Sequence, residues 1–325
     1  PRSGVGGGGE GHDLAMRATT GVGLSTMANG TTATATNRAY LFTAGDIRLG
    51  GVVGDVVTVR ANGNVIDNGD TDVDITANTL RLEALGIGSV GEPDGTNNGA
   101  IDTDVNTLSV RGNNSVYVSD AGTVALGTVG SGATRVNFNG TTSNLTATVT
   151  SSAFAQQNFV VEAATALTVD NVVSATTGNI LLSAGTGNLI VNNTVTATAG
   201  RVELSAGDSV SQAADGDVTA GGTIFVDATT GSITMDDDAL SDADGNVVYN
   251  AATDITLGGL DGANLAVTAG GDIIDGGDAL HTVRVDRVTG FVFHGPHDSV
   301  EGLNFRHVLH LRLQTVAQVN LHLKG

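Results

Sequence analysis

Between residues 159 and 275, apolar and polar positions alternate in short bursts that recur at a fixed distance. The segments FVVEAATALTV from Phe159, GNILLSAGTGNLIV from Gly178, GRVELSAGDSVSQ from Gly200, GTIFVDATTGSITM from Gly222, GNVVYNAATDITL from Gly245 and LAVTAGGDII from Leu265 share one plan. Each has an alternating run, a turn rich in Ala, Gly or Thr, and a second short run. The first apolar anchors are Phe159, Ile180, Val202, Ile224, Val247 and Leu265, at intervals of 21, 22, 22, 23 and 18 residues. The second anchors, Leu167, Leu189, Val210, Ile233, Ile255 and Ile273, each follow 8 or 9 residues later. A third, weaker run recurs at Val173–Ala175, Val195–Ala197 and Val218–Ala220. A period of two places alternate side chains on opposite faces of a strand. A longer period laid over it marks a repeat architecture. Frequent glycine and β-branched residues oppose helix. An antiparallel sandwich would not hold the same turn chemistry at one period. The pattern therefore predicts an all-β chain folded as a right-handed parallel β-helix, a β-solenoid. It would have about 22 residues per coil and roughly 10 coils, making a rod of about 50 Å at ~4.8 Å per coil.

The earlier part of the chain is less regular. Val57 with Val65, Leu108 with Val116 and Val136 with Leu145 read as first and second anchors of looser coils. An insertion is expected near 86–104, where Pro93 and Asn97-Asn98-Gly99 give turn chemistry. Residues 1–30, with Gly6-Gly7-Gly8-Gly9, read as a flexible lead-in. The solenoid is expected over 31–280. Residues 281–325 hold six of the seven histidines, the only lysine and the run Val308-Leu309-His310-Leu311-Arg312-Leu313. They read as a C-terminal cap or an assembly segment.

Composition narrows the function. Aromatics are 3% of 325 residues and Trp is absent, so the core must be thin layers of Val, Ile, Leu and Ala. A hydrophobic content of 40% argues against disorder. Glycine is abundant without a Gly-X-Y period, which excludes collagen. A formal net charge of -20 repels phosphate backbones and anionic bilayers, so neither nucleic-acid binding nor membrane insertion is expected. No apolar run approaches the ~20 residues of a membrane-spanning helix. The chain has no cysteine, and a repeat stack, in which each layer supports the next, does not need disulfides. It does not begin with Met and shows no signal peptide, so a piece of a longer protein is expected.

The strings Thr43-Ala44-Gly45-Asp46-Ile47, Gly178-Asn179-Ile180-Leu181-Leu182-Ser183-Ala184-Gly185 and Val267-Thr268-Ala269-Gly270-Gly271-Asp272-Ile273 resemble the repeats of filamentous-haemagglutinin-type large exoproteins. The resemblance covers about 40–280. It implies a secreted or cell-surface bacterial adhesin built on a right-handed parallel β-helix. That family's amino-terminal secretion domain is not evident in this chain.

Candidate chemistry centres on acidic clusters. Asp70, Asp72 and Asp74 in one turn, and Asp236, Asp238, Asp242 and Asp244 in another, offer oxygen ligands to calcium. Neither cluster matches the twelve-residue calcium loop, and solvated turns are the competing reading. Gly270 to Asp278 carries one degenerate copy of a glycine–aspartate nonapeptide. His294, His297, His307 and His310 are metal ligands only if they converge; surface histidines are the simpler reading. Polysaccharide cleavage would need paired carboxylates in a groove, for which Asp236 and Asp238 are the nearest pair. Ice binding would need Thr-x-Thr on one face of every coil, and most coils lack it.

The expectation is an extracellular or cell-surface structural protein without catalytic activity or a required cofactor, calcium being possible. It would be a filament subunit or adhesin shaft, self-associating head to tail or forming part of a longer chain. The alternatives are an adhesin module for glycans or a host surface, and a polysaccharide-active β-helix enzyme.

Overall fold

A computed structural model describes residues 13–18, 24–92, 99–130, 132–136, 139–146, 153–276, 284–285 and 293–294. Among them there is no helix. Parallel strands stack as a β-solenoid of about 11 turns, about 22 residues apart. The chain divides into two compact units, Pro1–Ala164 and Thr165–Gly325.

In the second unit each coil supplies three strands, and the anchors found by periodicity are register partners. One ladder runs Ile180–Val202–Ile224–Val247–Leu265. A second runs Leu167–Leu189–Val210–Ile233–Ile255–Ile273. A third runs Val173–Val195–Val218–Ser241–Leu260. Inward positions are buried and their neighbours are not, as in Ile180–Ala184 and Val202–Ala206. Because like stacks on like, each inward row forms an apolar column, and thin layers suffice without large aromatics.

Between strands the backbones of successive coils touch. A Cβ on Gly200 would stand 1.9 Å from the carbonyl oxygen of Gly178. Gly222 and Gly245 continue that column, each donating its amide to the preceding glycine carbonyl, at 2.8 and 2.9 Å. Gly200→Ala is therefore expected to push two coils apart and destabilise the second unit by about 3 kcal/mol. Chemical denaturation would check this, with Ser183→Ala on a half-buried outward position as the control.

The first unit departs from the sequence reading in four places. The strand Leu14–Ala18 pairs with Ala39–Thr43, and Ser25–Thr26 with Ile47–Arg48, so the described part of 1–30 already belongs to the stack. The excursion near 86–104 is narrower than expected. Val90 bridges Val65 and Val116, and Ile101–Gly112 is a ladder strand paired with Ile75–Ala84. Glu92 N donates to Gly99 O at 2.7 Å, and residues 93–98 between them lie outside the described residues. Val116 is the register partner of Phe159, so it is a first anchor and not the second anchor of Leu108. Finally, Val136 and Leu145 belong to an antiparallel hairpin of Gly132–Val136 and Thr142–Thr146. Gly140 in its turn has φ 78°, a conformation that suits the Asn-Gly pair there. This hairpin is inserted between Val124–Leu126 and Ala153–Ala155. It lies against the strands Leu14–Ala18 and Arg38–Thr43, where Thr134 N donates to Asp13 Oδ2 at 2.8 Å.

Candidate functional site

A recurring set of polar turn residues braces one coil against the next. Asp46 Oδ1 accepts Asn64 N at 2.7 Å, Asn64 Oδ1 accepts Ser89 N at 2.9 Å, and Ser89 Oγ accepts Ser115 N at 3.3 Å. In the second unit Asn179 Oδ1 holds Arg201 N, Asn188 Oδ1 holds Ser209 N, and Ser209 Oγ holds Ser232 N. Asp217 Oδ1 holds Leu240 N and Asp254 Oδ1 holds Asp272 N. The recipients are backbone donors at the bends, where the ladder cannot satisfy them. Every brace sits one residue before an inward anchor, as Asn64 before Val65 and Asp254 before Ile255.

The calcium candidates take separate places. Asp70 is half-buried and accepts the amide of the exposed Asp72 at 3.0 Å, a local turn. Asp74 is buried beside the inward Ile75, its Oδ2 accepting Asp102 N at 3.2 Å. Its close partner is Asp67, which the sequence reading did not single out. Asp67 is buried, accepts the amides of Asn68 and Gly69 at 2.6 and 2.8 Å, and shares a side-chain hydrogen bond with Asp74. Burial first, and then the Asp67 carboxylate, push the Asp74 carboxyl up to about 8. Burial also raises Asp67, against the pull of its two backbone amides. The pair therefore shares a proton at neutral pH. Asp236 and Asp238 are exposed in one turn, with Asp238 N on Asp236 Oδ1 at 3.3 Å. Asp242 points outward in register with Asp261, while Asp244 falls where the register slips between Ala243 and Asn246. Among the described residues no group of three or more His, Asp or Glu is placed to hold a metal. His297, His307 and His310 lie outside the described residues.

Two further polar clusters were not anticipated. On the outer face of the first unit, one row runs Arg17–Phe42–Arg60–Glu83–Arg111–Phe154. Arg17 lies over the Phe42 ring at 5.3 Å and Arg111 over Phe154 at 5.4 Å. Glu83 takes Arg60 Nε at 2.5 Å and Arg81 Nε at 2.9 Å, and also meets the Arg81 terminal nitrogen. Both Arg81 and Glu83 are buried although they point away from the core. In the core of the second unit, the Tyr249 hydroxyl meets Ser241 Oγ at 2.7 Å and donates to Gln212 Oε1 at 2.5 Å. Gln212 Nε2 in turn donates to Gly216 O at 3.2 Å. Tyr249→Phe is expected to cost about 1–3 kcal/mol, because Gln212 and Ser241 lose a buried partner. A smaller loss in Tyr249→Phe than in Gln212→Ala, read by urea titration, would agree with a cavity adding to the second.

Compared with known proteins, the chain matches no family model, no curated protein and no solved structure.

Proposed function

We propose that this protein is a structural β-solenoid of an extracellular or cell-surface assembly, a shaft or filament subunit without catalytic activity. The observation that carries the reading is the use of its polar residues. Turn side chains such as Asp46, Asn64, Asn179, Asn188, Asp217 and Asp254 each hold a backbone amide of the neighbouring coil. Continuous parallel ladders with braced bends resist local opening, because no coil can detach without breaking bonds to both neighbours. The repeat resemblance supports the extracellular setting. Head-to-tail self-association follows from ladders whose two edges are unlike and can only match end to end.

Negative-stain electron microscopy of the purified full chain tests the proposal. Fibres that grow with concentration, and resistance to protease under native conditions, are the expected result. Monodisperse short particles that a protease degrades at their coils would overturn it.

The arginine–aromatic row favours a second reading, a module that binds acidic glycans or a host surface. Capture on a glycan array that Arg17→Glu abolishes, without fibres, would select it. Calcium at the acidic turns is tested by calorimetry with and without Asp70, Asp72 and Asp74.

A further inference from the structure

Three apolar columns of the second unit are each interrupted once by a polar side chain. Gln212 stands in register between Val191 and Met235. Ser241 follows Val173, Val195 and Val218 and precedes Leu260. Tyr249 follows Leu182, Leu204 and Val226 and precedes Val267. All three are at most 1% exposed. They meet as a closed ring. The Tyr249 hydroxyl donates to Gln212 Oε1 at 2.5 Å, and Gln212 Nε2 donates to Ser241 Oγ at 3.3 Å. With the tyrosine proton so used, the Ser241 hydroxyl donates back to the Tyr249 oxygen at 2.7 Å. Each group both gives and accepts, and hydrogen bonds joined in this way polarise and strengthen one another.

The ring stands where the coil changes shape. The corner between the second and third strands of a coil is 170–172 and then 192–194, three residues each. It widens to 213–217 and 236–240, five residues each, and then shrinks to 258–259. Gln212 is the last ladder residue before the first wide corner, and its Nε2 also donates to Gly216 O inside that corner at 3.2 Å. Ser241 is the ladder partner of Val218 and follows the second wide corner. Apolar columns do not choose between these corner lengths. Sliding the strand at Ser241 by two residues keeps every inward position inward. The slide sets the buried Ala239 opposite Val218 and leaves 236–238 as a three-residue corner like those of the earlier coils. The ring does choose, because the slide carries the Ser241 hydroxyl about 6.6 Å along the strand, out of reach of both partners.

We propose that the Gln212–Ser241–Tyr249 ring is a register lock, holding the strand at Ser241 in the frame with the five-residue corner against the frame displaced by two residues. A buried polar contact sets register in coiled coils by the same logic, at some cost in stability. The lock is internal to one chain and does not depend on assembly.

Because the chain has no cysteine, engineered pairs in the full chain report register without background. Thr219→Cys with Asp242→Cys places thiols on outward register partners. Thr219→Cys with Leu240→Cys places them on residues that stand opposite only after the slide. With the ring intact, the first pair is expected to form its disulfide about tenfold faster than the second, since a two-residue offset puts the Cα atoms beyond bridging distance. With Gln212→Leu, Ser241→Ala and Tyr249→Phe together, the preference is expected to fall to about twofold while urea unfolding stays cooperative, because apolar residues of similar size keep the core filled. Ser241→Ala alone, which opens the ring and removes one hydroxyl, is expected to narrow the preference about threefold. A triple variant that unfolds cooperatively and keeps the full preference overturns the lock. So does a triple variant that fails to fold while Ser241→Ala keeps the full preference.

Discussion

Replacing Glu83 with Gln is expected to destabilise the first unit by about 3–5 kcal/mol, the usual cost of removing one partner from a buried ion pair. Glu83 bonds both Arg81 and Arg60, and Arg81 is 2% exposed. Arg60 is more accessible and can recover water, so most of the loss comes from Arg81. The pair sits on the outward side of Ile75–Ala84, above the inward Leu80 and Leu82. Both sides of that strand are therefore buried, and a guanidinium that loses its carboxylate there has no route to solvent. The double variant Arg81→Met, Glu83→Leu is expected to regain most of the loss, since apolar residues of similar size often replace a buried pair without penalty. Equilibrium urea unfolding measures both. A Glu83→Gln variant within about 1 kcal/mol of the parent would show that the pair is more hydrated than its burial indicates.

The second large effect is a pH dependence opposite to that of most acidic proteins. The Asp74 carboxyl is raised to about 8 in the folded chain, whereas an Asp in the unfolded chain ionises at its ordinary 3.8. Between those values the folded state holds a proton that the unfolded state has lost. Stability contributed by this site therefore falls as pH rises from about 4 to about 8, by an amount on the order of several kcal/mol. Asp67, Asp70 and Asp102 all add negative charge around Asp74, and Arg48 reaches only the Asp67 carbonyl, at 3.3 Å. These neighbouring carboxylates all oppose ionisation of Asp74. Thermal melts at pH 5 and pH 8 are expected to differ, the first unit melting earlier at pH 8. Asp74→Asn should flatten that difference and raise the melting temperature at pH 8, because the amide mimics the protonated acid. An Asp74→Asn variant that keeps the full pH dependence would place its origin elsewhere.

The sequence made the braces visible in one sense. Asp46, Asn64, Ser89, Asn188, Ser209 and Asp254 each precede an apolar anchor, and that offset repeats with the coil. Their partners are not legible in the order of residues, because each partner amide lies about one coil away. The hairpin also left a sign: Asn139-Gly140 is a strong hairpin signal. The apparent 8- to 9-residue spacing of Val136 and Leu145 outweighed it, since strand pairing in either sense yields alternating residues at short separation.

What the amino-acid order determined by itself was the repeat. In the second unit, strand positions, inward faces and register all follow from two nested periods, because a parallel stack pairs each residue with its equivalent one coil away. Tertiary structure decided everything that depends on which coils become neighbours. Asp67 and Asp74 are ordinary turn acids until folding buries both side by side and leaves them one proton to share. Arg60, Arg81 and Glu83 read as scattered surface charges until stacking sets them side by side and the outer face is covered. Met16 sits at a core-facing register position opposite Leu41, yet it is 39% exposed. Periodicity reports the face a side chain occupies, whereas burial and charge depend on what lies across from that face.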